Sequence, residues 1–482
     1  MDLKANAGRG SMKKVVVIGG GTGSYTVLRG LKHYDLDITS VVSMFDSGGS
    51  TGRLRDEFGM LPPGDVRRAL IALADDNAAG VLRQLFEYRY DRGNGLDGHN
   101  LGNLMLTALT DIYKSDAKAI EQAGNILNIK GRVLPVSLTN TQLCARLDNG
   151  QEIVGETNID LPKHDPKNKI WQLYLQKPAE LYEPTRKAIA EADLIVIGPG
   201  DIYSSVLPNM LVSGMPEALR TSKARLAYVC NLMTKNGETD GFAASHHARE
   251  ILKYAPGIEL DYIVCNSRAS DKRLLEKYAA EQSFPVRIDE RVHERAKKVI
   301  LEDLITEPEL IRHDSGKLAT VLVDIATPLV IFDLDDTLFS TTEQLQGTYT
   351  NLLNITPARE AKRVLDAPGY RKVLVTRGDP RIQRKKIDIL GIKDAFDDIE
   401  VCATSEDKKK CFERVITKYN KLPGDVIVVG DRIDSEIKYG NELGCRTILI
   451  AKGGKYASLA PKDKREQPTH TIESLDKLLK VI

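Results

Sequence analysis

The fold is decided by two segments near the start of the chain, VVVIGGGTGSYTVLRG (residues 15–30) and ITSVVSMFDSGGSTGRLRDEFGMLPPG (residues 38–64). Each begins with a hydrophobic run that is typical of a buried parallel strand. Each run then enters a glycine-rich loop, at residues 19–24 and 46–53. A strand followed by glycines and a helix brings backbone N–H groups against phosphate oxygens. Two such loops predict a ligand crevice at the carboxyl edge of an open α/β sheet.

The first loop departs from the GxGxxG fingerprint of dinucleotide-binding domains. Gly19 and Gly21 fit its first two positions, but Ser24 stands where the third glycine permits close helix–strand packing. Asp46, the candidate for a ribose contact, comes later than the expected spacing of about 20 residues. The first loop alone is equally consistent with a tight turn that binds no ligand. The second loop, with Arg53 beside its glycines, favours an anion.

Further hydrophobic runs at residues 194–198, 226–231 and 262–266 also end in small or polar residues, and helical patterns separate them. This alternation predicts a Rossmann-like, doubly wound, mostly parallel α/β sheet with its site along the carboxyl edge. Residues 133–156 alternate apolar and polar side chains around an Asp-Asn-Gly turn, which predicts an antiparallel hairpin within that sheet. Asp65, which follows two prolines and a glycine, is expected to cap the next helix.

Five motifs together carry a family resemblance: GGGTG, DSGGSTGRLRDEFGMLPPGDVRR, HNLGNL, ADLIVIGPGDIYSSVLPN and VCNLMTKNGETDG. Over about residues 14–319 they resemble the gluconeogenesis factor family, which is related to 2-phospho-L-lactate transferase and has the CofD-like fold. The resemblance implies binding of a nucleotide sugar such as a UDP-sugar, and the alternative is phospholactyl transfer onto a deazaflavin. The expected ligand-binding residues are Gly20, Gly21, Thr22, Gly23, Asp46, Ser47, Gly48, Gly49, Arg53, Asn103, Gly198, Gly200, Asn231, Thr234, Lys235 and Thr239.

The hydrophobic pattern restarts after residue 327. The run LVIFDL (residues 329–334) ends at Asp333, with Asp335 two positions later, and paired carboxylates at a strand end are typical of phosphoryl transfer. Thr376 follows the next predicted strand, Asp431 follows a later one, and three lysines at 408–410 begin a predicted helix between them. Phosphoryl transfer needs a nucleophile, an acid, a cation and polar groups for the phosphate oxygens. These side chains supply the protein's part of that set.

The ordered set resembles the haloacid dehalogenase (HAD) superfamily from that restart to the end of the chain. The resemblance implies that Asp333 becomes an aspartyl-phosphate and that Asp335 protonates the leaving oxygen and later activates water. It implies Mg²⁺ held by the Asp333 carboxylate, the Asp335 carbonyl and Asp431, since a hard cation takes oxygen ligands. Thr376 and Lys408 are expected to bind the phosphate.

Two of these assignments remain open. Lys409 is the alternative to Lys408, and either Glu436 or Asp434 is expected to orient the water shell of the metal. Only short segments follow the first two strands of this half, where the superfamily often inserts a cap, so no compact cap domain is expected.

Composition limits the classes of protein further. A net charge of +1 gives no global attraction to nucleic acid or to an anionic membrane. The six cysteines form no CxxC motif, which fits reduced thiols in a cytoplasmic protein. No apolar run approaches the ~20 residues of a membrane span. We therefore expect a small phosphorylated ligand rather than a nucleic-acid or membrane partner, and homo-oligomerisation is left open.

The expected organisation has two domains, within the two to four that 482 residues predict. Residues 1–11 are interpreted as a disordered lead or expression remnant, 12–326 as the CofD-like nucleotide-sugar-binding domain, and 327–482 as the HAD-like phosphatase domain. One alternative is a transferase in the first domain. Another is a regulatory binding protein with a vestigial phosphatase half, against which the intact Asp333 and Asp335 argue.

Overall fold

The computed structural model describes residues 12–76, 80–306, 309–346, 352–451 and 459–482, so the predicted lead at 1–11 lies outside the described residues. The chain divides into two compact units, Lys13–Ala326 and Thr327–Ile482. Within the described ranges no helix is long and apolar enough to cross a membrane.

The first unit contains a seven-stranded parallel sheet. Its strands are β1 (Lys13–Gly19), β2 (Leu36–Val42), β3 (Arg132–Pro135), β7 (Leu194–Ile197), β8 (Arg225–Val229), β9 (Leu260–Asn266) and β10 (Ala296–Glu302). They lie in the order β10-β9-β8-β7-β1-β2-β3, with all neighbouring pairs parallel. Val17 of β1 aligns with Ser40 of β2 on one side and with Val196 of β7 on the other. The predicted doubly wound parallel sheet is confirmed.

Helices connect these strands and cover the sheet. The helices of the first unit are α1 (Gly21–Leu31), α2 (Gly49–Phe58), α3 (Gly64–Leu73), α4 (Gly80–Glu87), α5 (Leu101–Tyr113), α6 (Asp116–Ile126), α7 (Glu156–Asp160), α8 (Glu183–Ala190), α9 (Leu207–Met210), α10 (Met215–Thr221), α11 (Ala244–Tyr254), α12 (Lys272–Ala280) and α13 (Ser315–Ala326). Because α1 and α2 begin directly after the two glycine loops, their first-turn N–H groups lie at the carboxyl ends of β1 and β2.

The hairpin prediction was correct for the turn but wrong for the sheet. The antiparallel strands β4 (Leu143–Leu147) and β5 (Glu152–Val154) pair as predicted, but with β6 (Ile170–Leu175) they form a separate three-stranded sheet. β3, from the same predicted stretch, is instead the edge of the parallel sheet. A two-stranded ribbon of β11 (Ile305–Thr306) and β12 (Arg312–His313) completes the strands of this unit.

The second unit contains a six-stranded parallel sheet. Its strands are β13 (Leu329–Phe332), β14 (Arg371–Arg377), β15 (Asp398–Cys402), β16 (Val426–Gly430), β17 (Arg446–Ile450) and β18 (His470–Ile472), in the order β15-β14-β13-β16-β17-β18. Its helices are α14 (Thr341–Leu345), α15 (Ala361–Asp366), α16 (Pro380–Leu390), α17 (Ser405–Lys418) and α18 (Lys438–Glu442). The described segments between these strands contain one or two α-helices each, or only 3₁₀ turns, and no cap domain.

Alternating residues of β13 pack on opposite faces of this sheet. Val330 and Phe332 belong to one buried cluster, whereas Leu329 and Ile331 belong to another. A strand that is buried on both faces is continuously hydrophobic, as LVIF is. Because β13 is central, the side chains that follow it, beginning with Asp333, lie at the middle of the carboxyl edge.

Candidate functional sites

A cavity of about 1190 Å³ lies at the carboxyl edge of the first sheet. The loops after β1, β2, β7 and β8 contribute to its lining, as the glycine loops predicted. The predicted ligand residues that line this cavity are Gly20, Gly21, Thr22, Gly23, Asp46, Gly48, Asn103, Gly200, Asn231, Thr234 and Lys235.

The backbone of the first loop approaches other groups too closely to admit a side chain. A Cβ at Gly20 would lie 2.2 Å from Asp65 Oδ2, and one at Gly23 would lie 2.1 Å from the Pro199 carbonyl oxygen. The N–H of Gly21 donates to Asp65 Oδ1 at 2.8 Å. The expectation that Asp65 caps its own helix was therefore wrong: Pro63 holds that position, and the Asp65 carboxylate bonds the first loop instead.

The second loop is organised in the same way. The N–H of Gly48, just before α2, donates to Asp46 Oδ1 at 2.9 Å. Two amides that a phosphate could use, those of Gly21 and Gly48, are thus already bonded to carboxylates of the chain. An anionic ligand would have to use the neighbouring first-turn N–H groups, such as those of Thr22 and Gly23.

Three carboxylates that line this cavity, which we call its acidic floor, have raised pKa values. Burial, together with the nearby Asp46, raises the pKa of Asp65 to about 6. Burial and the charges of Asp46 and Asp160 raise the pKa of Glu156, at the start of α7, to about 8. Burial also raises the pKa of Asp46. Several negative charges held close together away from water favour proton uptake.

Cationic side chains lie on other parts of the lining. Lys235 Nζ is 2.5 Å from Asp160 Oδ1 and 2.9 Å from Asp201 Oδ2. It is also 2.9 Å from an oxygen of the buried Glu238. Arg67 lines the cavity as well, and burial together with neighbouring arginines lowers its pKa to about 10. The lining therefore combines both signs of charge.

Four predicted ligand residues do not line the cavity. Ser47 is engaged with Thr157, whose N–H donates to Ser47 Oγ at 3.1 Å. The Arg53 guanidinium donates to the Asp97 carbonyl oxygen at 3.0 Å. Thr239 is buried and accepts from the Lys235 N–H, which shapes that loop. Gly198 adopts φ +69° at the end of β7 and contributes backbone only. Gly49, the other predicted residue of the second loop, is the first residue of α2.

In the second unit, three predicted side chains meet at the carboxyl edge. Lys408, on α17, places Nζ 2.5 Å from Asp333 Oδ1, and it also contacts Glu436 Oε1. All three residues are buried. Burial and the charges of Glu436 and Asp335 raise the pKa of Asp333 to about 7 against the opposing effect of Lys408. The two carboxylates in turn raise the pKa of Lys408, despite its burial.

The other member of each open alternative is paired elsewhere. Lys409 points to Glu442, with Nζ 2.9 Å from Oε2, and so is engaged outside the Asp333 cluster. Asp434 pairs with Arg432 at 2.9 Å. Lys408 therefore contacts Asp333 directly, and Glu436 is joined to Asp333 through that lysine. The phosphate-binding role of Lys408 and the water-orienting role of Glu436 stay predictions.

Asp431 completes the expected metal-ligand set. Burial and the charges of Asp333 and Glu436 raise its pKa to about 8. A divalent cation would relieve this concentration of negative charge, and the two carboxylates and the Asp335 carbonyl would offer it the oxygen ligands that Mg²⁺ takes. Within the described part of the chain no three His, Cys, Asp or Glu side chains form a metal cluster.

The Asp335 carboxylate is held by donors from two other segments. Its Oδ1 accepts from Thr341 Oγ1 and from Lys386 Nζ, both at 2.6 Å, and its Oδ2 accepts from Gln383 Nε2 at 2.8 Å. Gln383 Nε2 also lies 2.8 Å from Oγ1 of the buried Thr376. The sequence analysis missed Gln383 and Lys386, although their spacing on α16 places both on one helix face.

The comparisons with known proteins agree with this two-part description. The family described as 2-phospho-L-lactate transferase CofD matches residues 15–305. A putative gluconeogenesis factor of Thermotoga maritima is 43% identical over 322 residues, which cover 65% of this chain and 99% of that protein. The gluconeogenesis factor of Bacillus subtilis is 38% identical over 318 residues, covering 66% and 99%.

The chain belongs to the CofD/gluconeogenesis factor family. A crystal structure of a Bacillus halodurans protein is similar to its gluconeogenesis factor domain, with a TM-score of 0.61, 40% identity, and coverage of 65% of this chain and all of that one. The family described as haloacid dehalogenase-like hydrolase matches residues 356–444. That match contains Thr376, Lys408 and Asp431 but begins after Asp333 and Asp335. A HAD-like hydrolase domain thus follows the gluconeogenesis factor domain.

Proposed function

We propose that the HAD-like domain is a Mg²⁺-dependent phosphatase that forms an aspartyl-phosphate at Asp333. The observation that carries this proposal is the buried contact of Lys408 Nζ with Asp333 Oδ1, at 2.5 Å. A lysine in this place attracts a phosphate dianion toward a nucleophile that would otherwise repel it. Thr376, at the end of the neighbouring strand β14, adds a hydroxyl for the phosphate oxygens.

The reaction has two steps. Asp333 Oδ attacks phosphorus, the bond from phosphorus to the ester oxygen breaks, and Asp335 gives a proton to the departing oxygen. Asp335 then takes a proton from water, the water oxygen attacks phosphorus, and the bond to Asp333 breaks to release inorganic phosphate. To act as the acid, Asp335 must leave Lys386 and carry a proton. Mg²⁺, when bound, would reduce the repulsion between the Asp333 carboxylate and the phosphate dianion.

Phosphate release from the full chain tests this proposal. The substrates are an aryl phosphate, sugar phosphates and nucleotides, each assayed with Mg²⁺ and with a chelator. We expect turnover with Mg²⁺ and its loss on chelation. Turnover that does not depend on the metal contradicts the mechanism, and the absence of turnover on every substrate favours the vestigial-domain alternative.

We also propose that the gluconeogenesis factor domain binds a nucleotide diphosphate sugar, with a UDP-sugar as the first candidate. The support is the cavity of about 1190 Å³ at the ends of the glycine loops, which exceeds the ~300–1,000 Å³ of typical ligand pockets. The acidic floor imposes a condition on such a ligand. Asp46, Asp65 and Glu156 repel a diphosphate when ionised, so binding should strengthen when protons or a divalent cation neutralise them.

Binding measured against pH tests this second proposal. Because the pKa of Asp65 is about 6 and that of Glu156 about 8, both groups lose negative charge as the pH falls from 9 to 6. The affinity for a UDP-sugar should rise over that interval, whereas uridine, which carries no phosphate, should show no such trend. At a ligand concentration of about 100 times Kd, stability should rise by roughly 2.7 kcal/mol. If neither UDP-sugars nor other nucleotides shift the melting temperature, the proposal is ruled out.

The transferase alternative keeps one specific support. Glu156, whose pKa is raised to about 8, lies beside Asp46 and Asp160 in a ligand cavity. Carboxyl groups with separated pKa values are an arrangement that suits proton transfer. The test is whether the isolated first domain transfers a phosphoryl-containing group. Transfer by the wild-type domain and its loss in Glu156→Gln would establish that this domain catalyses a reaction and does not only bind a ligand.

A further inference from the structure

Gln383 occupies a buried position between two predicted catalytic groups of the HAD-like domain. It lies on α16, the helix that follows β14, the strand that contains Thr376. Only 2% of its surface is exposed. Its Nε2 is 2.8 Å from Asp335 Oδ2, 2.8 Å from Thr376 Oγ1 and 2.6 Å from the Arg377 carbonyl oxygen. The family resemblance assigns no role to this side chain.

The surroundings determine which way the amide of Gln383 faces. A carboxylate oxygen and a carbonyl oxygen can only accept hydrogen bonds, so the group that faces Asp335 and Arg377 must be the NH₂. If the amide were rotated by 180°, its oxygen would face those two acceptors. The donor side of Gln383 is therefore also the side that faces the Thr376 hydroxyl.

This orientation has a consequence for the hydroxyl hydrogen of Thr376. A hydroxyl has one hydrogen and two acceptor lone pairs. The NH₂ of Gln383 has two hydrogens for three oxygens, so one N–H is shared between two of them as a three-centre bond. Because Oγ1 accepts from that amide in one direction, its own hydrogen points in another. The hydrogen is then available to an oxygen of a phosphoryl group at Asp333. Without Gln383, the hydroxyl would lose this directional constraint.

We propose that Gln383 is a positioning residue, which turns the Thr376 hydroxyl into a donor for the phosphoryl oxygens. The proposal rests on the phosphatase function proposed above and names a residue that acts through Thr376 rather than on the substrate. A hydrogen bond to a charged group is stronger than one between neutral groups, so its loss should weaken the binding of a phosphate-like anion by roughly 10- to 100-fold.

A double-mutant cycle on the full chain tests whether Gln383 acts through Thr376. The variants are Gln383→Met, Thr376→Val and the pair, with Arg384→Gln as a control on the exposed side of the same helix. The measurements are aryl-phosphate turnover with Mg²⁺ and the dissociation constant of orthovanadate, which is determined without turnover. We expect each single change to weaken vanadate binding and kcat/KM by about 10- to 100-fold. The pair should match Thr376→Val within about threefold, because coupled residues are not additive.

The alternatives give different results. If Gln383 is only structural, replacing it should lower the melting temperature and leave vanadate binding unchanged, and the effects of the two single changes should multiply in the double variant. Unchanged vanadate binding would overturn the proposal, and so would effects that multiply. If wild type binds vanadate but has no turnover, the phosphatase proposal fails while the vanadate cycle still decides this one. If wild type neither binds nor reacts, both fail. Should Gln383→Met not fold, Gln383→Leu also removes the donor without adding a charge, and it should weaken vanadate binding by about tenfold or more.

Discussion

The two parallel sheets present carboxylates at their carboxyl edges, but they stabilise them differently. In the HAD-like domain Asp333 contacts a buried lysine, Lys408, which Glu436 shares. In the gluconeogenesis factor domain Asp46 and Asp65 accept instead from the amides of glycine loops. Buried lysine supplies a full positive charge at a fixed point, whereas amides supply dipoles. The first arrangement suits a small dianion brought to a nucleophile, and the second suits a large ligand that brings its own counter-charge.

The largest expected effect separates the chemistry of the two sheets. Asp333→Asn keeps the shape of the side chain but removes the nucleophile, so turnover should fall by on the order of 10⁴-fold or more. Far-ultraviolet circular dichroism should stay unchanged, and so should UDP-sugar binding. Equal phosphatase activity in the variant and wild type would contradict the assignment of Asp333.

The next effect concerns the buried lysine. Lys408→Met leaves two buried carboxylates without their cation, and breaking such a buried pair costs about 3–5 kcal/mol. Lys409→Met is the matched control, because the neighbouring lysine pairs with Glu442 of α18, outside the Asp333 cluster, and its loss should cost less than about 1 kcal/mol. Urea unfolding followed through the HAD-like domain measures both. Equal losses of stability would mean that the buried contacts of Lys408 stabilise the domain no more than the Lys409–Glu442 pair does.

A smaller effect should appear in the other domain as a pH dependence. The pKa of Glu156 is about 8 in the folded state, well above its ordinary value of 4.5. At a pH between these two values, the Glu156 carboxylate takes up a proton when the domain folds. Stability should therefore fall as the pH rises from about 4.5 to about 8. Glu156→Gln should remove this fall and be more stable than wild type by roughly 2–4 kcal/mol above pH 8, with little difference at pH 4.5.

The control for that measurement is the exposed Glu276, on α12. Glu276→Gln should follow the wild-type unfolding curve at every pH. If Glu156→Gln is less stable than wild type above pH 8, the wild-type Glu156 carboxylate is stabilised there, which contradicts its raised pKa.

The smallest expected effect comes from separating the sheets. We propose that residues 12–326 and 327–482 fold independently, since domain boundaries fall where few contacts cross. Each fragment, expressed alone, should melt cooperatively within a few degrees of its transition in the full chain. If both fragments are insoluble, the two domains share one folding unit.

Some features were predictable because their cause is local. The strands β1, β2 and β13 are short hydrophobic runs that end at or shortly before a glycine or an aspartate, and periodicity together with turn chemistry identifies such segments. Asp333, Thr376, Lys408 and Asp431 follow in a fixed order along the chain, so one sequence motif after another could point to them. Their convergence followed from the parallel order of the strands.

Other features depend on contacts that sequence spacing does not contain. Asp65 was expected to serve its own helix, but its carboxylate reaches Gly21, 44 positions earlier. Gln383 and Lys386 belong to no motif, and only the packing of α16 against the Asp335 loop brings them into the site. The raised pKa of Glu156 depends on the separate β4–β5–β6 sheet carrying it to the cavity. These are properties of tertiary packing rather than of local pattern.

The close approach of Gly23 to the Pro199 carbonyl also limits motion. A Cβ at Gly23 would lie 2.1 Å from that oxygen and 2.9 Å from the N–H nitrogen of Gly200, so the first turn of α1 packs directly against the backbone of the loop after β7. The cavity floor should therefore behave as a rigid template on the nanosecond-to-microsecond timescale of loop motion. Entry and release of a ligand would then be controlled by rim side chains such as Arg68, and the rate of exchange would report the dynamics of the rim rather than of the glycine loops.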